Sequence, residues 1–356
     1  MDMDPIKEAL TFDDVTLAPN YSEILPIEAN TQTKLSKNLI LQIPIISSAM
    51  DTVTESKMAI SIAEKGGIGI IHRNLNVVEQ INEIRKVKLK KIKVGAAVGT
   101  SPLEYKRAEK ILKENIDLIV IDTAHGHSKK VADIVKKIKK IKPKKTAICA
   151  GNIATAEATK FLIELGVDII KVGIGPGSIC TTRLVTGIGV PQLSAIMNVR
   201  SAIGKNRTTL IADGGIKFSG DIPKALAAGA DAVMIGSLFS GTDESPGKII
   251  RKNGKMFKTF RGMGSIGAMN RGSSDRYFQK KQKDTTKYVA EGVEGLVKYK
   301  GAVEKIIYQL VGGLKSSMGY LGSAKVQDLR KKSKFFKITK AGFYESMVHN
   351  IDKVIK

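Results

Sequence analysis

Disulfide chemistry is the first thing this sequence cannot support. Its 356 residues hold two cysteines, Cys149 and Cys180, too few for a disulfide framework. Charged residues interrupt every hydrophobic stretch, so no apolar run reaches the length of a membrane span, and the opening Met-Asp-Met-Asp-Pro lacks the basic-then-apolar pattern of a signal peptide. A stapled secreted domain and a membrane helix are thereby excluded, and a cytoplasmic protein is expected. Acidic charge is also scarce: 34 Asp+Glu stand against 58 Lys+Arg, a formal net charge of +24. An excess of that size raises the question of a nucleic-acid partner. Aromatic residues are only 5% of the chain, however, and the lysine clusters at 86–93, 136–145, 280–283 and 330–334 lack the interleaved rings of a base-stacking surface. They read as solvated surface, with at most non-specific binding to polyanions at low salt.

What the chain has is a rhythm. After an irregular lead-in over residues 1–43, broken by Pro5, Pro19, Pro26 and Pro44, short apolar runs recur at Pro44–Met50, Gly67–His72, Val94–Gly99, Asp117–Asp122, Thr146–Gly151, Asp168–Val172, Thr209–Asp213 and Ala232–Gly236. Between them lie helical patterns such as Glu55–Lys65, Leu103–Asn115, Thr155–Leu165 and Ile222–Ala228. The triplets Asn115-Ile-Asp117, Gly166-Val-Asp168 and Gly229-Ala-Asp231 each end a helix and open a strand, so one βα unit repeats. Eight such units predict an α/β fold of the (β/α)8 TIM-barrel class over residues 44–239.

In a barrel of this kind chemistry gathers where strands end. The residues there are Ser48 to Asp51, His72 to Asn74, Asp122, Thr123, His125, Gly151, Asn152, Gly175 to Arg183, Asp213 to Gly215, Gly236 and Ser237. The run Ile169–Val172 reads as a buried strand that empties into Gly173, Gly175, Pro176 and Gly177 and ends at Cys180. A thiol beside free backbone N–H groups suits a nucleophile, and it equally suits a packed, inert cysteine beside a turn. Gly214, Gly215 and Gly236, after the last two strands, suit a phosphate held on backbone N–H groups or simply tight βα turns. Gly173 to Ser178 only superficially follows a dinucleotide fingerprint, since Ser178 replaces the third glycine and no helix follows at once. His125 and His127 have no companion ligands for zinc, and Cys149 lies inside a strand and reads as core.

Residues 261–295 contain six glycines, many charges and few apolar anchors, including Arg276-Tyr277-Phe278, and read as a mobile lid. Residues 301–314 carry Val303, Ile306, Ile307, Leu310, Val311 and Leu314 at helical spacing, an amphipathic helix that can close the barrel. The remainder of 296–356 forms a tail in which Glu345, Ser346 and Met347 have no role legible from composition.

Gly175-Pro-Gly-Ser-Ile-Cys-Thr-Thr-Arg183, with Ser48–Glu55, Asp213–Ile216, Arg261–Ser265 and Arg276-Tyr277, resembles the catalytic domain of the inosine monophosphate dehydrogenase family over nearly the whole chain. The resemblance implies NAD-dependent oxidation of inosine 5′-monophosphate to xanthosine 5′-monophosphate in guanine nucleotide synthesis. Cys180 would attack C2 of the purine, and Arg276, aided by Tyr277 and Thr182, would activate the water that releases the product. It further implies that Ser48, Met50, Ser178, Asp213, Gly215, Gly236 and Ser237 bind the substrate, that Met263, Gly264 and Glu291 face its base, and that Asp122 and Asn152 lie on the cofactor side. A potassium ion is implied on Gly175, Gly177 and Cys180, completed by Glu345, Ser346 and Met347 of a neighbouring subunit, hence a homotetramer. Phe260 departs from the family's usual tyrosine, which puts one phosphate hydrogen bond in doubt. The family's tandem nucleotide-sensing (CBS-type) module is missing, since Arg85–Lys93 runs directly into Val94, and the chain reads as a single catalytic domain. Guanosine monophosphate reductase, which shares the barrel and the cysteine loop, is the alternative within the same chemistry. A non-catalytic polyanion-binding protein is the alternative outside it.

Overall fold

A computed structural model describes residues 6–351 of the chain. Eight parallel strands close on themselves: β1 (Ile45–Ser47), β2 (Ile68–Ile71), β3 (Val94–Val98), β4 (Leu118–Asp122), β5 (Ala147–Ile153), β6 (Ile169–Val172), β7 (Thr209–Asp213) and β8 (Ala232–Ile235). Each pairs with the next in sequence, and Val233 opposite Ile45 completes the ring. The apolar runs take this form because both faces of a barrel strand are buried, so a strand here reads as continuous rather than alternating. One set of side chains, including Ile46, Ile68, Ile70, Val120, Cys149, Ile169 and Ile211, fills the barrel interior, while a larger cluster packs strands against helices. The (β/α)8 TIM barrel expected from the sequence is what forms.

The helices are α1 (Ser56–Glu64), α2 (Val77–Leu89), α3 (Pro102–Leu112), α4 (Lys129–Ile141), α5 (Ala156–Glu164), α6 (Gln192–Ile203), α7 (Asp221–Ala228) and α8 (Val303–Tyr320). Helix α8 packs between α1 and α7 and completes the outer ring. Its buried side is Val303, Ile307, Leu310, Leu314 and Met318, one helical stripe. Lys90–Lys93 alone joins α2 to β3.

The repeated triplets have a clear physical purpose. Asn115, Gly166 and Gly229 take φ of 56°, 74° and 127°, the left-handed turn that stops each helix. The aspartate two residues on then accepts a hydrogen bond from the first turn of backbone in the preceding strand: Asp117 from Val94 N at 3.0 Å, Asp168 from Ile148 N at 2.8 Å, and Asp231 from Leu210 N at 2.7 Å. Each unit thus sets the register of the strand pair it extends.

Three features depart from a plain reading of the sequence. The lead-in is not wholly irregular: Thr33–Lys34 pairs with Ile40–Leu41, and Leu35, Leu39 and Leu41 plug the N-terminal mouth of the barrel, tied there by Thr209 Oγ1 donating to Leu35 O at 2.6 Å. The two ends of the chain clasp each other, Val15–Leu17 against Phe335–Lys337. The lid hangs from an antiparallel stem, in which Lys255–Arg261 pairs with both Ile250–Lys252 and Glu294–Lys298. Its first hairpin turns at Asn253-Gly254, both with positive φ (51° and 68°), as a two-residue turn requires.

Candidate active site

The C-terminal mouth of the barrel is where the expected residues meet. Strand β6 ends at Val172, and the chain then bends through Gly173 and Gly175, with φ of 147° and 80°. A Cβ on Gly173 would lie 2.1 Å from Asp213 O, and one on Gly175 would lie 2.6 Å from the Arg183 side chain. The loop can take this path only as glycine. It delivers Cys180 half-buried to the mouth, while Cys149 is sealed inside the barrel, where burial pushes its thiol up to about 12.

The cysteine loop is stitched to the returning end of the lid. Thr181 N donates to Glu291 O at 2.9 Å, and Val293 N donates to Ile179 O at 3.0 Å. This brings three side chains into line: Cys180 Sγ is 3.2 Å from Thr182 Oγ1, which is 2.9 Å from Glu291 Oε2. A hydroxyl between a thiol and a carboxylate can pass a proton from the reacting centre to an acceptor.

Two adjoining cavities open at the cysteine loop. One, of about 130 Å³, is walled by Cys180, Gly175, Asp122, Asn152, Met263, Gly264, Arg276, Tyr277 and Glu291. The other, of about 90 Å³, is lined by Ser178, Gly215, Gly236, Ser237 and Phe260. Ser48, Met50, Gly177 and Asp213 border both, so the two form one bent cleft. The Ser48 hydroxyl is buried there without a protein partner, a polar group aimed at whatever fills the cleft. A Cβ on Gly236 would come within 2.9 Å of that hydroxyl, so glycine keeps this end open. Phe260 is buried against the same end and has no hydroxyl to offer.

The most consequential residue here was hidden in the sequence. Lys171 sits in β6, inside what reads as an apolar run, and its side chain is 2% exposed. Its ammonium lies 2.9 Å from Asp122 Oδ1 and 2.7 Å from Asp213 Oδ2, and it also donates to Asn152 Oδ1. Asn152 in turn donates to Asp213 Oδ2 at 2.9 Å. One cation therefore ties the expected cofactor-side residues to the expected substrate-side aspartate. Burial opposes a charge on Lys171, but Asp122 and Asp213 outweigh it and hold the ammonium above its ordinary value. Burial likewise opposes charge on Asp122, but Arg276 and Lys171 prevail and hold its carboxyl well below the usual carboxylate range.

Replacing Lys171 with methionine should leave Asp213 without its cation and Asp122 with Arg276 alone, and breaking such a buried pair typically costs about 3–5 kcal/mol. Urea unfolding at neutral pH measures it. A carboxyl depressed in the folded state contributes stability above its unfolded pKa and loses it as pH falls. The deficit of the variant should therefore shrink in acid, and a pH-independent deficit would contradict the electrostatic account.

Residues 261–295 cover the cleft. Arg276 forms an ion pair with Asp122, its backbone carbonyl accepts from Ala124 N at 3.1 Å, and its neighbour Asp275 pairs with Arg73 at 2.7 Å. Desolvation alone would favour loss of the Arg276 proton, but Asp122 dominates and holds the guanidinium charged, above its usual range. Desolvation pushes the Tyr277 phenol up to about 12, although Arg276 beside it pulls the other way. Glu345, Ser346 and Met347 are exposed at the end of the helix Lys340–Glu345, which packs on Phe12–Asp14 and lines neither cavity. Within one chain they do not join the cysteine loop. His125 and His127 sit edge to face at 6.3 Å, and His127 packs on Phe161. Among the described residues no helix is long and apolar enough to cross a membrane.

Similarity to known proteins agrees with this geometry. The profile described as "IMP dehydrogenase / GMP reductase domain" matches residues 9–349. The chain is 49% identical, over an alignment of 393 positions including gaps, to the inosine-5′-monophosphate dehydrogenase of Cryptosporidium parvum, and the alignment covers 98% of this chain and 97% of that relative. It is 48% identical over 395 residues to the enzyme of the same name from Borreliella burgdorferi, covering 97% and 98%. With the Aquifex aeolicus enzyme of that name it shares 41% over 475 aligned positions, more than this chain possesses, so that relative carries a segment this chain lacks. A cysteine loop, a lid and a barrel matched from residue 9 to residue 349 leave one assignment: the chain belongs to the IMP dehydrogenase / GMP reductase family.

Proposed function

We propose that this chain oxidises inosine 5′-monophosphate to xanthosine 5′-monophosphate with NAD⁺, in guanine nucleotide synthesis, through a covalent intermediate on Cys180. The observation that carries the reading is the Cys180–Thr182–Glu291 line beneath a lid whose Arg276 is seated on Asp122. The nucleotide's phosphate would lie in the end lined by Ser178, Gly215, Gly236 and Ser237, and its ribose would meet Asp213 and the unpartnered Ser48 hydroxyl. Met50, Met263, Gly264 and Glu291 would hold the base against Cys180. Phe260 would leave that phosphate one hydrogen bond short, a loss of roughly 0.5–3 kcal/mol of binding.

Bound NAD⁺ would supply the acceptor for the hydride leaving C2, with Asp122 and Asn152 on its side of the cleft. The fit rests on charge: Asp122 is a buried carboxylate that holds a cation in this structure, and an oxidised nicotinamide ring is one. The Cys180 sulfur would form a bond to C2 and, after oxidation, be expelled as thiolate when water adds there. Because Arg276 is already protonated on Asp122, it would polarise that water as a cation beside Tyr277. The water's proton would leave through Thr182 Oγ1 to Glu291. Mixing the chain with inosine 5′-monophosphate and NAD⁺ should raise absorbance at the NADH band. Oxidation of NADPH with guanosine monophosphate and no NADH formation would instead make it a reductase.

A potassium ion would be held by main-chain carbonyls of Gly175, Gly177 and Cys180, which lie within one short loop, together with carbonyls at the exposed C-terminal end of the helix at Glu345, Ser346 and Met347. These would come from a second copy in a cytoplasmic homotetramer. Exchange of potassium for lithium should cut turnover severely while the unfolding midpoint stays put. Equal rates in both salts would remove the cation from the mechanism.

A further inference from the structure

The loop that follows β8 is gripped by two lysines of the lid's stem. It makes one helical turn, in which Phe239 N and Ser240 N donate to Gly236 O at 3.1 and 3.0 Å. It then lies along the stem, where Lys300 N donates to Gly241 O at 2.9 Å and Asp243 N donates to Gly301 O at 3.0 Å. The approach is so close that a Cβ on Gly241, where φ is 79°, would stand 2.6 Å from Lys298 O. Lys258, in the stem strand Lys255–Arg261, is 3% exposed, and its ammonium donates to Thr242 O at 2.9 Å and to Ser245 O. Lys300, just past the strand Glu294–Lys298, donates to Ser237 O at 2.7 Å and to Leu238 O at 3.1 Å. All four oxygens are main-chain carbonyls of one loop, so these bonds leave both positive charges in place. A lysine buried on neutral carbonyls carries a desolvation cost that an uncharged donor would avoid. The same loop begins with Gly236 and Ser237, which line the smaller end of the cleft. Phe260, on the same face of its strand as Lys258, lines that end too and brings no hydroxyl to it.

We infer that Lys258 and Lys300 are positioning residues for the substrate's phosphate, acting from the stem through the backbone of the loop after β8. The inference deepens the dehydrogenase reading and rests on it for the identity of the nucleotide. A trans peptide unit directs its C=O and its N–H to opposite sides, so an ammonium that fixes the Ser237 and Leu238 carbonyls also fixes the amides of that turn. The same contacts polarise those peptide units, which makes their N–H groups stronger donors. Two cations on the carbonyl side of the loop also attract an anion held on its other side, and in partly buried surroundings salt screens that attraction little. The stem thus acts on the phosphate through the loop, where Phe260 cannot act on it directly.

Calorimetric titration of the full chain with inosine 5′-monophosphate, and displacement of that nucleotide by inosine, separate the phosphate from the rest of the ligand. Lys300→Met should weaken the nucleotide about tenfold or more and inosine by less than about twofold, because inosine lacks the group that the loop is set to receive. Lys300→Arg, which keeps a cation, should recover part of the loss. In turnover the KM for the nucleotide should rise by a similar factor while kcat falls by no more than about threefold. Lys258→Met should follow the same pattern. Thermal melts check that the variants fold, and Lys300→Met, at an exposed position of the stem, decides the matter if Lys258→Met does not fold. An equal loss for nucleotide and nucleoside, or a lower melting temperature with both affinities unchanged, would overturn the inference. The expected pattern in a chain that makes no NADH from inosine 5′-monophosphate would leave the positioning role standing and overturn the dehydrogenase reading. NADH formation with undiminished nucleotide binding by Lys300→Met would overturn the positioning role alone.

Discussion

Arg276→Ala should release about one equivalent of NADH per active site in a rapid burst and then turn over slowly, with the steady rate reduced about 10²- to 10⁴-fold, the range for loss of a group that activates water or relays its proton. The burst should survive because the proposed role of Arg276 lies in the hydrolytic step, so its removal should take nothing from the oxidation step. Asp122 keeps Lys171 at 2.9 Å, so the variant should remain folded. The covalent species should accumulate on Cys180 as the hydrolytic step slows. A burst and a steady rate that fall together would mean that Arg276 acts before or during hydride transfer.

Cys180→Ala should retain binding of inosine 5′-monophosphate and lose turnover altogether, without a burst. The side chain is half-buried and touches Thr182 rather than the packed interior, so stability should change by no more than about 0.5 kcal/mol, as at a site outside the core. This separates a chemical role from a structural one. Cys149→Ala should behave in the opposite way, with a core cavity and a lower unfolding midpoint but the same chemistry, because Cys149 fills the barrel interior. Residual NADH formation by Cys180→Ala at a substantial rate would place the oxidation on another residue.

The barrel was legible because a strand buried on both faces must be apolar throughout, and eight such runs alternated with helical spacing. The Asn/Gly-X-Asp triplets also marked where each helix stops and the next strand opens, whereas the bond from each aspartate to the preceding strand emerged only once the strands were paired. Lys171 was not legible, since a single lysine in Ile-Ile-Lys-Val is overruled by its neighbours in any local pattern. Only closure of the barrel brings Asp122 and Asp213 to either side of it. Asn253-Gly254 did offer a turn signal, and it could have revealed the hairpin from which the lid hangs. The clasp of Val15–Leu17 on Phe335–Lys337 had no such signal, because two three-residue strands from opposite ends of the chain acquire meaning only when they meet. Arg73 stood among the strand-end residues, but its partner Asp275 lies in the lid, and no spacing rule connects the two.

Peptide mapping by mass spectrometry of the wild-type enzyme, acid-quenched during turnover of inosine 5′-monophosphate and NAD⁺, tests the central claim most directly. Burial pushes the Cys149 thiol up to about 12, so it stays protonated and unreactive at neutral pH. Cys180 opens onto the cleft. The account predicts a purine nucleotide adduct on the peptide containing Cys180 and none on the peptide containing Cys149. NADH accumulation with an adduct on Cys149, or with no cysteine adduct at any time in the reaction, would contradict it.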